Sequence, residues 1–241
     1  YLLILVIHAE RTIHRKTEPL YKFFSTKSWW PTVFVLLVVA MSALSVLAYD
    51  RSFFLWDVTV AHWIRSLPGA GDSEFMKVVS WPGIKAITVI TVLMTTAWVT
   101  WISGWRGGLH VLSLFLIMGI NEEFKEIVDR PRPGESEAIE NKGFPSGHAL
   151  YAVLLSGVIW LFIVSKIPKL SVRMTLLGVL IAWPVLTGLS RISMEKHWPS
   201  DVLGSYLLGI LVLIIMKWTI PALERTLGPF SRHSIIKRKG S

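Results

Sequence analysis

The sequence predicts an all-α integral membrane protein: a bundle of six transmembrane helices, with a further amphipathic helix lying in the membrane interface. Three observations lead there. Of 241 residues, 52% are hydrophobic and only 17% are charged, a balance too apolar for a soluble domain of this length. Six apolar segments recur along the chain, each near the ~20 residues that cross a hydrocarbon core. Eight of the twelve tryptophans (Trp29, Trp30, Trp81, Trp98, Trp101, Trp105, Trp198 and Trp218) stand near the ends of those segments, where an aromatic belt would sit.

The six segments are Pro31–Tyr49, Trp81–Ser103, Leu109–Phe124, Ala149–Ser165, Met174–Leu189 and Val202–Trp218. The shorter ones gain length from their helical flanks. Between the first two lies "SFFLWDVTVAHWIRSLPG", in which Phe54, Val58, Ala61 and Ile64 recur at helical spacing. That stretch is expected to form an amphipathic helix lying in the interface. The membrane domain is therefore placed at residues 31–220, between a basic segment 1–30 and a basic tail 221–241. The opening "YLLILVI" makes only ~10 Å of helix, too short to span. One reading makes it the end of a helix from an upstream domain. It lacks the charged front and small-residue exit of a secretory signal. No repeat or low-complexity run interrupts the chain.

There is no cysteine, which removes disulfides, thiol catalysis and Cys-ligated zinc from consideration. The net charge of +9 would suit nucleic acid, but topology accounts for it. With both termini on one side of the membrane, that side holds fifteen of the 25 Lys and Arg residues and only three acids, Glu10, Glu18 and Glu224. The positive-inside rule then puts the termini in the cytoplasm of a cell-membrane protein. No nucleic-acid partner is expected. The loops after the third and fifth spans, with the loop ahead of the fourth, fall on the outer face.

Those outer loops carry polar residues that membrane insertion does not explain. After the third span comes "NEEFKEIVDRPRPG", with Lys125 seven positions before Arg132-Pro133. Ahead of the fourth is "PSGH", Pro145 to His148. After the fifth is "LSRISMEKHWPSD", holding Ser190-Arg191, His197 and Asp201. A helix beginning at "PSGH" presents unpaired backbone N–H groups at its positive end, an anion cradle that Gly147 leaves open to close approach. Lys125, Arg132 and Arg191 are enough cations to neutralise a phosphoryl group. His197 and Asp201 stand four apart, so the carboxylate can reach back to one imidazole nitrogen and leave the other lone pair free to attack. His148 remains to protonate a leaving oxygen. Taken singly these have blander readings: a histidine near a helix start is commonly a cap, and an aspartate in a first turn follows from the dipole alone. Lys125 and Arg132 could equally bind headgroups. Glu122, Glu123, Glu126 and Asp129 are expected to form a solvated face, with Asp129 one turn from Lys125.

Together, "KEIVDRPRP", "PSGH" and "SRISMEKHWPSD" resemble the three motifs of the type 2 phosphatidic acid phosphatase family, in order and in internal spacing. The resemblance spans Lys125 to Asp201 and, by hydropathy, about Trp30 to Trp218. It implies that Lys125, Arg132 and Arg191 hold phosphate together with Ser146 and the Gly147 amide. It implies His197 as a nucleophile forming a phosphohistidine, Asp201 as its partner and His148 as the acid, with Ser190, Pro133 and Pro145 as shaping residues. It implies no metal and no cofactor.

Two features depart from the pattern. Glu195-Lys196 precede the nucleophile where relatives commonly carry Gly and an apolar residue, and only twelve residues separate Arg132 from Pro145, leaving little room for a lid. The expected activity is hydrolysis of a lipid phosphate: undecaprenyl pyrophosphate, phosphatidylglycerol phosphate or phosphatidic acid. The alternatives are a lipid phosphoryl transferase and a non-enzymatic lipid-binding or transport protein. Transport fits less well, because the polar residues lie at span ends rather than at mid-membrane. The two mid-span hints, Lys85 and Pro184, read as an interfacial snorkeller and a kink.

Overall fold

The computed structural model describes residues 30–50, 52–70, 74–133 and 142–227. The segment 1–29, the loop 134–141 and the last fourteen residues of the tail lie outside the described residues. The chain divides into two compact units, residues 1–39 and 40–241, and the site described below belongs wholly to the second. Helix is the regular structure throughout, and among the described residues the one β contact is an isolated bridge between Pro131 and Lys142.

The helices are α1 (Trp30–Asp50), α2 (Leu55–Arg65), α3 (Glu74–Ser80), α4 (Lys85–Ser103), α5 (Trp105–Val128), α6 (Gly147–Phe162), α7 (Leu170–Ser193) and α8 (Pro199–Leu227). Short 3-10 turns cover Trp81–Gly83 and Val164–Lys166. Helices α1, α4, α6, α7 and α8, with the turn after α6, are long and apolar enough to cross a membrane. Large side chains such as Val46, Met94, Leu116, Val179 and Ile181 point outward. Water would not tolerate that surface and lipid does. The chain is a multi-pass membrane protein.

The third expected span differs. Helix α5 has 24 residues, but Arg106 stands at one end and Glu122, Glu123, Lys125 and Glu126 at the other, so it falls outside that apolar set. Its apolar middle still packs into the core through Val111 and Leu114. It returns antiparallel on α4 through Gly104, whose φ of 82° suits glycine. A side chain at Gly108 would overlap Thr100 on α4.

Helix α6 is the axis of the bundle. Leu150, Tyr151, Leu154, Leu155, Val158 and Phe162 are buried around most of its circumference, against Val92 and Val99 of α4, Val111 and Leu114 of α5, and Val212 and Met216 of α8. That all-round burial accounts for a sequence apolar on every face. Small residues let α6 and α8 approach: a side chain at Gly157 would overlap Leu213, and one at Gly209 would press on Val153 at 2.7 Å. Alternating helix directions bring the C-terminal ends of α5 and α7 together with the N-terminal ends of α4, α6 and α8.

The amphipathic helix forms as α2, and the protein covers only part of its apolar stripe. Phe54, Ala61 and Ile64 are buried, but Val58 is 44% exposed and Asp57 is completely buried in its place. Asp57 caps its own helix, its Oδ2 accepting the Phe54 N–H at 3.0 Å. The consequences of that burial reach the site.

A valine at Gly157 should cost about 1–3 kcal/mol by forcing α6 and α8 apart. A fall in the thermal midpoint of detergent-purified protein, with no change at an outward position such as Val179→Ala, is the expected result.

Candidate active site

A cavity of about 530 Å³ opens where these helix ends meet. Lys125, Arg132, Gly147, His148, Arg191 and His197 all line it. The three motifs, scattered over 77 positions, therefore converge on one space. Asp201 and Ser146 stand behind the wall, both completely buried. Ser146 precedes the first turn of α6 but makes no capping bond, and its Oγ is buried without a partner. Arg132 Nε and Arg191 Nε are also buried and unpartnered. Buried donors are normally satisfied, so unused ones gathered around one cavity mark a place for an acceptor-rich anion.

The imidazole of His197 is 2% exposed. Its Nδ1 lies 2.8 Å from the carbonyl oxygen of Gly143, which fixes the proton on Nδ1 and leaves Nε2 to the cavity as a lone pair. The expected contact with Asp201 is looser: Oδ2 is 3.6 Å from Nδ1, beyond hydrogen-bonding distance. That oxygen instead accepts the Trp198 N–H at 2.9 Å, reaching back over the first turn of α8 as an acidic third residue does in a capping box. Burial drives the His197 pKa down to about 4, against the opposing pull of Asp201, so the ring is neutral at physiological pH.

Several contributors escaped sequence reasoning. Gly143 carries the carbonyl that orients His197, and a side chain there would meet Asp201 Oδ2 at 3.0 Å. Gly83, in the turn before α4, lies flat against the His148 ring, where any side chain would overlap it. Lys85, read as an interfacial snorkeller, lines the cavity and adds a fourth cation to its rim. Arg130, inside the first motif but not among its defining residues, is 1% exposed. Its Nη1 donates to Asp201 Oδ1 at 2.6 Å. The signal available in advance was the doubled "RPRP", two arginines where the resemblance assigns a role to one.

The acidic residues of the α5 end divide their work. Glu122 pairs with Lys125 at 2.8 Å and joins the cavity wall. Glu126 and Asp129 instead hold Lys142, at 2.6 and 3.2 Å. Glu195 turns away from the site and pairs with Arg65 at the end of α2. Its φ of 53° is left-handed, which explains why glycine suits that position.

Residues 106–225 match the PAP2 superfamily. The chain carries a PAP2 superfamily domain over those residues. A curated relative, phosphatidylglycerophosphatase B of Bacillus subtilis (strain 168), is 32% identical over 116 residues, which are 47% of this chain and 57% of that one. The match thus spans a little over half of the relative's length. The fold is shared with the crystal structure of a transmembrane PAP2-type phosphatidylglycerolphosphate phosphatase from Bacillus subtilis, at a TM-score of 0.64 and 23% identity over 80% of this chain and 98% of that one. A weaker likeness, to Aquifex aeolicus LpxE, has a TM-score of 0.44 and 21% identity over 72% and 92% of the two chains.

The His197 environment has a thermodynamic signature. In the unfolded chain this histidine binds a proton near its ordinary 6.5, whereas the folded protein holds it neutral down to about 4. Its contribution to stability is present above pH 6.5 and is lost as pH falls toward 4. The difference in thermal midpoint between wild type and His197→Gln should therefore narrow from pH 7 to pH 4. A constant difference would place the ring in a solvated setting.

Proposed function

We propose that the chain is a lipid phosphate phosphatase working through a phosphohistidine. The observation that carries this reading is the cavity, in which a neutral buried histidine faces a cluster of cations and unused donors. The same cavity runs on along Val89 of α4 and Phe115 and Met118 of α5, an apolar wall suited to a lipid chain. The superfamily domain and the relative named above support the reaction class, and phosphatidylglycerol phosphate is the first substrate to try.

In the first step His197 Nε2 attacks phosphorus and the P–O bond to the lipid breaks. Lys125, Arg132 and Arg191, with Ser146 Oγ and the Gly147 amide, hold the equatorial oxygens. His148 gives its proton to the leaving oxygen. In the second step water attacks phosphorus, His148 takes the proton back, and the N–P bond opens to release inorganic phosphate. Asp201 supports the imidazolium that forms between the two steps. The cations already supply the charge a divalent ion would bring, and among the described residues no three histidine or carboxylate side chains gather as a metal set. Metal independence is part of the proposal.

The experiment is phosphate release by purified protein from phosphatidylglycerol phosphate, phosphatidic acid and undecaprenyl pyrophosphate, with EDTA present. Wild type should hydrolyse at least one and carry an acid-labile phosphate adduct. His197→Ala should lose both turnover and adduct, while Asp201→Asn, which keeps the attacking atom, should lose less. Normal turnover by His197→Ala would refute the mechanism.

Orientation is part of the same proposal. Six spans, counting α5, with cytoplasmic termini put the cavity on the outer face of the cell membrane. A cysteine replacing Glu123, exposed beside the cavity, should react with an impermeant thiol reagent on intact cells, and one replacing Lys169 should not. The opposite pattern would invert the topology and leave the chemistry intact.

A further inference from the structure

The guanidinium of Arg130 sits where no water reaches, and its partners come from three separate parts of the chain. Nε donates to the Ser52 carbonyl oxygen at 3.1 Å. Nη1 donates to Ser200 Oγ and to Asp201 Oδ1, both at 2.6 Å. Nη2 donates to Asp57 Oδ2 at 2.8 Å, and the Phe54 ring lies 4.9 Å from the guanidinium carbon. Asp57 is as fully engaged. Its Oδ1 accepts the Ser200 N–H at 2.8 Å, one of the open donors at the start of α8, and its Oδ2 accepts Ser200 Oγ–H at 2.7 Å.

Counting charge in this closed cluster gives one cation and two anions. Had Arg130 faced Asp201 alone, the pair would be neutral and His197 would see little net field. The second carboxylate, from the interfacial helix, leaves one negative charge over. That charge is balanced when the His197 ring becomes cationic on bonding phosphorus at Nε2.

Resting on the phosphohistidine reading, we propose that Asp57 and Arg130 are positioning residues of the phosphoryl transfer. Arg130 clamps the Asp201 carboxylate beside His197, and Asp57 offsets the Arg130 charge so that Asp201 remains an effective counter-ion. Helix α2 thereby becomes part of the catalytic apparatus without touching substrate.

A purely structural staple would also bury these groups, so the test must separate the two roles. Asp57→Asn keeps shape and removes one charge. The expected result is a fall in kcat of roughly tenfold or more with KM changed less than about threefold, in protein that still melts cooperatively. In an Asp201→Asn background the same substitution should add almost nothing, because the group it acts through has been neutralised. Arg130→Lys keeps the charge but loses the fork that grips two carboxylates at once, and should show the same kcat-specific, non-additive loss. It answers the question if Asp57→Asn fails to accumulate.

Wild-type kcat in a folded Asp57→Asn or Arg130→Lys protein would overturn the proposal. So would a loss of equal size with and without Asp201. Failure of the underlying phosphohistidine reading is separately visible, as turnover by His197→Ala or absence of the acid-labile adduct in wild type.

Discussion

A guanidinium that never meets water dictates much of the architecture around it. Burying Arg130 is tolerable only if its donors are taken up and its charge is offset. Those demands are met from far apart in the sequence, by Asp57 on α2, Ser200 and Asp201 on α8, and the Ser52 carbonyl. One residue thus joins the interfacial helix to the first turn of α8. The same turn sets Asp201 Oδ2 against the Trp198 amide and brings His197 under the Gly143 carbonyl. Gly143 is itself tied back by its N–H to the Arg130 carbonyl oxygen at 2.6 Å. Positions of nucleophile, carboxylate and orienting carbonyl therefore follow from one buried ion cluster.

The cavity obeys the opposite rule. Behind its wall Arg130 is paired with both Asp57 and Asp201, whereas inside it Arg132 and Arg191 hold buried, unpartnered nitrogens. Lys85 and Lys125 stand on the same rim, with Glu122 the one acid in the lining among the described residues. Like charges held together at low dielectric repel, and that repulsion is relieved by an anion with several oxygens. Under the proposed function, binding energy for phosphate is stored in the folded protein as repulsion. The rigid cluster behind the wall and the packed α6 in the bundle axis keep these groups from relaxing apart.

The convergence of the three motifs on one cavity was legible from sequence because the phosphoryl site that the resemblance implies needs fixed residue types at fixed spacing. The bundle was legible because hydrocarbon demands long apolar helices. What stayed hidden has one cause: a polar residue can be buried when distant partners satisfy it. Nothing in the periodicity of α2 marks Asp57 as buried, yet partners as far as 143 positions away take it inside while apolar Val58 stays 44% exposed. Arg130 was invisible for the same reason. Lys85 looked like a membrane anchor because its neighbours across the cavity belong to other motifs. Helix α5 was seen as apolar through its middle, but its ends carry the charges that the site requires, so hydropathy understates it.

Why the proposed nucleophile, His197, leans on a backbone carbonyl, with the carboxylate at 3.6 Å, follows from what each can supply. The Gly143 oxygen is neutral and fixed by the chain, so it would hold the Nδ1 proton and ring plane in both steps of the proposed double displacement. A carboxylate in direct contact would favour the protonated ring before substrate arrives, and a protonated Nε2 cannot attack. Set back 0.8 Å beyond the carbonyl contact (3.6 against 2.8 Å) and shared with Arg130, the Asp201 charge would act mainly once the ring becomes cationic. Orientation and field come from different atoms, and burial keeps His197 a free base until phosphorus is within reach.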